Sequence, residues 1–119
     1  MYSMPENDHK SAKAFKELIR VLEAAVWTGV NSIGLEWKAN DLLVFHNSGN
    51  MGVAATTIAK ELQLDVLGEI VKRAKLLRKL KGYFKILLLG EEYSVVVDEY
   101  DRIGESAFTL ALKKRGQKS

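Results

Sequence analysis

The chain has no cysteine and a single proline, Pro5, among its 119 residues. Without thiols there are no disulfides, no cysteine-based metal sites and no cysteine nucleophile, and nothing points to an oxidising compartment. Histidine is nearly as scarce. His9 falls in the polar N-terminal stretch and His46 at the end of an expected strand. Neither has a second His, Asp or Glu at ligand spacing, so the sequence offers no metal site. No apolar run approaches the roughly 20 residues that a helix needs to span a bilayer. The opening "MYSMPENDHK" lacks the apolar core of a secretory signal. The expectation is a cytoplasmic protein without membrane insertion. The formal charge is only +3, which permits nucleic acid or an acidic protein as partner and selects neither.

What is present is ordinary for a globular chain: 47% apolar and 28% charged residues. The length suits one domain. Residues 1–9 read as a disordered lead, 10–114 as a single α+β domain, and "RGQKS", 115–119, as a basic tail. From about Lys10, Phe15, Leu18, Ile19, Leu22 and Val26 recur at spacings of three and four, which predicts a helix. Ser11 is its expected N-cap and Gly29 its end. Ile33, Leu35 and Trp37 then alternate with Gly34, Glu36 and Lys38, the period of a half-buried strand. "KAND" is a turn and Leu42–His46 a second strand.

"HNSGNMG" reads as a loop, and "VAATTIAKEL" suits either a short helix or an extended piece. Residues 65–81 predict a helix with Asp65 as N-cap, Val66, Leu67, Ile70, Ala74, Leu77 and Leu80 in one stripe, and Gly82 closing it. Three strands follow: Tyr83–Leu89, Tyr93–Asp98, and, after a polar connection over 99–105, a last one to about Lys113. The order α-β-β-α-β-β-β predicts an α+β fold with a five-stranded antiparallel sheet and helices mainly on one face.

No segment carries a catalytic or cofactor motif. "NSGNMG" has glycines that could cradle an oxyanion, but lacks the Gly-Lys-Ser/Thr ending of a phosphate loop and the spacing of a dinucleotide fingerprint. Asp98, Glu99, Asp101 and Glu105 are close in sequence, but in a solvated, turn-like stretch rather than a buried one that would split their pKa values. The aromatics are scattered and read as packing rather than as a stacking surface for single strands. The strongest feature is the basic face of the second helix. Lys72, Arg73, Lys75, Arg78 and Lys79, with Lys81, crowd its C-terminal half, where cations suit the helix dipole. These residues form the candidate interaction surface, together with the loop 46–53. The same stretch can be threaded as a winged helix-turn-helix with cations on phosphates. That helix has almost no Asn, Gln, Ser or Thr to read base edges, and this reading needs the hairpin 32–46 to lie outside the main sheet.

"LEAAVWTGVNSIGLEW" resembles the start of the second N-terminal domain of type II secretion and type IV pilus assembly ATPases, with Gly29, Ser32, Ile33 and Glu36 in comparable places. "IVKRAKLLRKLKGYFKILLLGEEY" is similar to that domain's helix, glycine break and hairpin. "YSVVVDEYDRIGESAFTLALKK" is similar to its last strands, with Gly104–Glu105 at the joint. The resemblance spans about residues 15–114 and implies a PAS-like fold. It departs where the family has a His and this chain has Gly34, and where the family strands carry arginines but this chain reads "LLVFH" and "YSVVV". No P-loop domain is present in the sequence, so an ATPase role is not carried over. The expected function is a non-enzymatic protein–protein interaction or regulatory module, accessory to a bacterial secretion, pilus or motility system. It has an unidentified protein partner, no cofactor and a sheet edge able to pair two copies. The alternatives are the winged-helix DNA binder and a PAS-like sensor with a small molecule between helix and sheet.

Overall fold

The computed structural model describes residues 6–49, 51–77, 79–102 and 105–116. Helix α1 spans Glu6–Trp27, strands β1 Ser32–Lys38, β2 Asp41–Ser48 and β3 Met51–Thr57, a 3-10 turn Lys60–Leu62, helix α2 Gln63–Ala74, and strands β4 Lys81–Leu88, β5 Glu91–Arg102 and β6 Glu105–Lys114. The six strands form one sheet in the order β3-β2-β1-β6-β5-β4, every neighbouring pair antiparallel. β1 and β6 are central. α2 carries the chain from one edge of the sheet, β3, to the other, β4.

Both helices pack on one face of the sheet. Ala14, Leu18, Val21, Leu22 and Ala25, at helical spacing on α1, are buried with Val66, Ile70 and Ala74 of α2. They meet the alternate strand residues Ile33, Leu35, Leu42, Val44, Ile86, Leu88, Val95, Val97, Leu110 and Leu112. Gly29 closes α1 at φ 80°. Its N–H donates to the Val26 carbonyl at 3.0 Å, and the Val30 N–H to Ala25 at 2.9 Å, which satisfies carbonyls that the helix end would leave open.

The sheet has six strands, not the five expected. The extra one is β3, built from "MGVAATT", a stretch whose sequence reads as loop and ambiguous segment. Every residue of β3 but Thr56 is exposed, so no apolar alternation marks it. It is held by its ladder to β2, with a bulge where Phe45 pairs with Ala54 directly after Val44 pairs with Thr56. Its exit is fixed to α1. The Ala59 N–H donates to Glu17 Oε2 at 2.8 Å, Arg20 donates twice to the same carboxylate (2.7 and 2.9 Å), and Arg20 Nη2 reaches the Thr57 carbonyl at 3.2 Å. Arg20 holds the Glu17 carboxyl below its ordinary range.

Other boundaries differ from expectation as well. α1 begins at Glu6, so Ser11 lies inside the helix, where its hydroxyl donates to Glu69 Oε2 at 2.7 Å. α2 begins at Gln63, two residues before Asp65, and no side chain caps it. It ends at Ala74, not at Lys81. Lys75 takes the left-handed conformation at φ 58°, its N–H donates to Lys72 O at 3.3 Å, and the Leu76 N–H donates to Val71 O at 2.9 Å. That glycine-like end is performed by a lysine. Gly82 does not end the helix but admits a neighbour, since a Cβ there would lie 2.1 Å from the Ala74 carbonyl oxygen. β4 therefore passes directly against the end of α2. The polar connection at 99–105 is mostly strand, since β5 runs to Arg102 and β6 starts at Glu105. The turn role expected of Gly104 lies outside the described residues.

Candidate functional site: a basic, apolar sheet edge

Because α2 stops at Ala74, its basic face divides. Lys72 and Arg73 remain on the helix; Arg73 turns inward, while Lys72 stays mostly exposed with its ammonium near Glu69. Arg73 Nε donates to Glu69 Oε1 at 3.1 Å, Lys72 Nζ lies 3.7 Å from Glu69 Oε2, and the Arg73 guanidinium sits 3.7 Å from the centroid of the Phe15 ring. Glu69 is buried between α1 and α2. A buried carboxylate needs paired cations and hydrogen bonds, and Ser11, Lys72 and Arg73 supply them. Arg73 thus ties the two helices together. Lys75 caps the helix, Lys79 is exposed on the crossing to β4, and Arg78 lies outside the described residues. The five residues do not form a single helical face.

The early end of α2 has a second effect. Leu77 and Leu80, expected in its buried stripe, are 87% and 67% exposed. They lead into β4, the last strand of the sheet, where Tyr83 is 63% and Leu87 65% exposed, and Leu89 in the following turn is 51% exposed. Large side chains of this kind are normally scattered singly. Here five of the nine exposed ones found among the described residues fall between 77 and 89. Lys75, Lys79, Lys81 and Lys85 are exposed among them. The sequence from Ile70 to Gly90 contains no Asp or Glu. Lys81 has one acidic neighbour, Asp98, at 4.0 Å across the ladder.

The backbone of β4 is available too. The Glu99 N–H donates to the Leu80 carbonyl at 2.7 Å. In an antiparallel ladder, bonded and non-bonded positions alternate. Gly82, Phe84, Ile86 and Leu88 therefore aim their polar groups at β5, and Lys81, Tyr83, Lys85 and Leu87 aim theirs out of the edge. These four residues also carry the exposed side chains. No strand among the described residues covers that side.

The remaining candidates are weaker. The "NSGNMG" segment is a β2–β3 hairpin tip with Gly49 at φ 60°, not a loop before a helix. The contact surface expected over 46–53 is therefore largely strand. His46 sits within β2, and among the described residues no group of three His, Cys, Asp or Glu converges. Asp98 and Glu99 lie on opposite faces of β5, because side chains alternate. The face of the sheet away from the helices has a groove of about 550 Å³ beside Phe45, Asn47, Tyr100 and Thr109. A smaller one, about 180 Å³, opens between the end of α1 and the ends of β5 and β6. In the helix–sheet space where a PAS-like ligand would sit, Leu18, Leu22, Ile33, Leu35, Ile70 and Leu110 are fully buried.

The hairpin 32–46 belongs to the main sheet, since β1 pairs with β6 through Ile33↔Leu110 and Leu35↔Phe108. The winged-helix reading required the reverse, and its long recognition helix ends after twelve residues. Sequence reasoning missed the edge because Leu77, Leu80, Tyr83 and Leu87 look like ordinary core positions. The usable signal was the lysine at every gap between them. No helix among the described residues is long and apolar enough to cross a membrane. Compared with known proteins, the chain matches no family model and no curated protein.

Proposed function

We propose that this chain is a non-enzymatic protein–protein interaction or regulatory module, and that it contacts its partner through β4 and the crossing that precedes it. One observation carries the reading: Leu77 and Leu80 on the crossing, Tyr83 and Leu87 on β4 and Leu89 in the turn after it are all more than half exposed, along a strand with no neighbour on its outer side among the described residues. Leaving that much apolar surface in water gains nothing for folding, and covering it stabilises a complex by roughly 25 cal/mol per Å² before the costs of association. The resemblance of residues 15–114 to secretion-ATPase domains would make the partner a component of a secretion, pilus or motility system in the cytoplasm.

The test is site-specific photocrosslinking in the native cell. A photoreactive residue at Leu80 or Leu87 is expected to give a discrete protein adduct, and one at exposed Lys13 on α1 is not. Adducts at neither Leu80 nor Leu87, or equally at all three positions, would remove the proposal.

A further inference from the structure

Resting on that reading, we infer the chemistry of the partner: an extended acidic segment that adds to the sheet as a seventh strand beside β4, with apolar and carboxylate side chains on alternate outward positions.

The backbone sets the mode. Lys81, Tyr83, Lys85 and Leu87 turn their N–H and C=O groups outward along eight residues of strand. A row of this kind is a template for strand addition. The side chains set the sequence. On the face away from the helices, Tyr83, Lys85 and Leu87 stand in a line, apolar, cationic, apolar. Cross-strand neighbours interact most favourably when apolar meets apolar and opposite charges face each other. An added strand of matching register therefore reads apolar-x-acidic-x-apolar on that face. Lys79 and Lys81 extend the demand for carboxylates at the Leu80 end.

Charge also argues against a second copy in the register that would match its apolar side chains. Two copies related by a two-fold axis would pair β4 antiparallel with itself. The register that sets Tyr83 opposite Leu87 of the other copy also sets Lys85 opposite Lys85, since 83 and 87 are symmetric about 85. Like charges directly opposite destabilise a strand pair, and the stretch 70–90 carries no carboxylate to relieve them. The opposite edge, β3, does not compete. It exposes Met51 and Val53, but its remaining residues are Gly, Ala and Thr, which give an added strand little to pack on.

The probe is a labelled nine-residue peptide, Thr-Val-Thr-Glu-Thr-Val-Thr-Glu-Thr, titrated into the isotope-labelled protein. Amide exchange and chemical shifts are followed by NMR. The expected result is slowed exchange at Lys81, Tyr83, Lys85 and Leu87, with Phe84 and Ile86 unchanged because they are already bonded to β5. The same peptide with Lys for Glu is expected not to bind. Lys85→Glu is expected to weaken the acidic peptide by about tenfold and to admit the lysine one. Lys85→Pro removes an outward N–H without touching the ladder and is expected to abolish protection with the thermal midpoint nearly unchanged.

Equal affinity for both peptides, or shifts elsewhere than β4, would overturn the proposal. So would β4 protection that appears without peptide at a mass of two chains, which would make a second copy the occupant. Binding to phosphatidylserine vesicles in place of peptide would make it a lipid surface. If no peptide binds while Leu80 and Leu87 still crosslink to a protein, the interaction module stands and the acidic strand falls.

Discussion

Lys75 and Gly82 show how far a residue's role depends on what lies across from it. Lys75 occupies a left-handed position that costs a non-glycine residue about 1 kcal/mol. Glycine would relieve that cost but has more unfolded-state entropy to lose, by about half as much. Lys75→Gly is therefore expected to stabilise the fold by about 0.5 kcal/mol, read as a higher urea midpoint at unchanged slope. At Gly82 the balance is one-sided. Its missing Cβ is what lets β4 pass the Ala74 carbonyl, and forcing backbones apart costs about 1–3 kcal/mol. Gly82→Ala is expected to lower the urea midpoint accordingly. An unchanged midpoint would mean that α2 and β4 are not so close. The sequence showed a glycine after a basic helix and suggested a stop signal. Only the contact with Ala74 shows that it is a point of close approach.

Among the elements, β3 has the least support from its own sequence. Its residues bury almost nothing, so its ladder to β2 and the Glu17–Arg20 clamp hold it. The clamp makes a pH prediction. Arg20 lowers the folded-state pKa of Glu17 below the ordinary value of 4.5. A lowered carboxylate pKa contributes stability above the ordinary value, and that contribution is lost as pH falls through the folded value. Glu17→Gln is expected to melt below the parent at pH 7, with the gap closing as pH falls below the ordinary carboxylate range and through the lowered folded-state value. A gap independent of pH would show that the carboxylate charge does not hold the clamp. Both helices, β1 and the β4–β5 hairpin were legible in their apolar periods and turn residues. β3 was not, because a strand beyond the helix layer has no dry face to alternate against. The end of α2 was not legible either, because Leu77 and Leu80 continue its apolar spacing past the point where the backbone leaves it.

For the molecule as a whole, the strand order sets which regions open first. β1 and β6 are central and covered by helices, so their amides are expected to exchange only on global unfolding. β3 is expected to exchange fastest among the strands, and β4 to alternate, slow at Gly82, Phe84, Ile86 and Leu88 and fast at the residues between. Uniform protection along β4 in the isolated protein would show that its outer edge is already covered. The same order gives the protein two unlike edges, one uncharged and built mostly of small side chains and one apolar and basic. An interaction module with one productive edge needs that asymmetry.

The sequence by itself determined the class of this protein. Its periods of 3.6 and 2 fix two amphipathic helices and most of the strands, and its lack of cysteine removes thiol chemistry. It also placed a run of cations without carboxylates near the middle of the chain. Only the tertiary structure decided what those cations do. The close approach of β4 to the end of α2 splits the run, so that Arg73 locks the helices together while Lys79, Lys81 and Lys85 stay in solvent. Sheet order then makes β4 an edge. Neither outcome is local: a residue's exposure depends on which strand, if any, lies beside it, and no stretch of sequence names its neighbour.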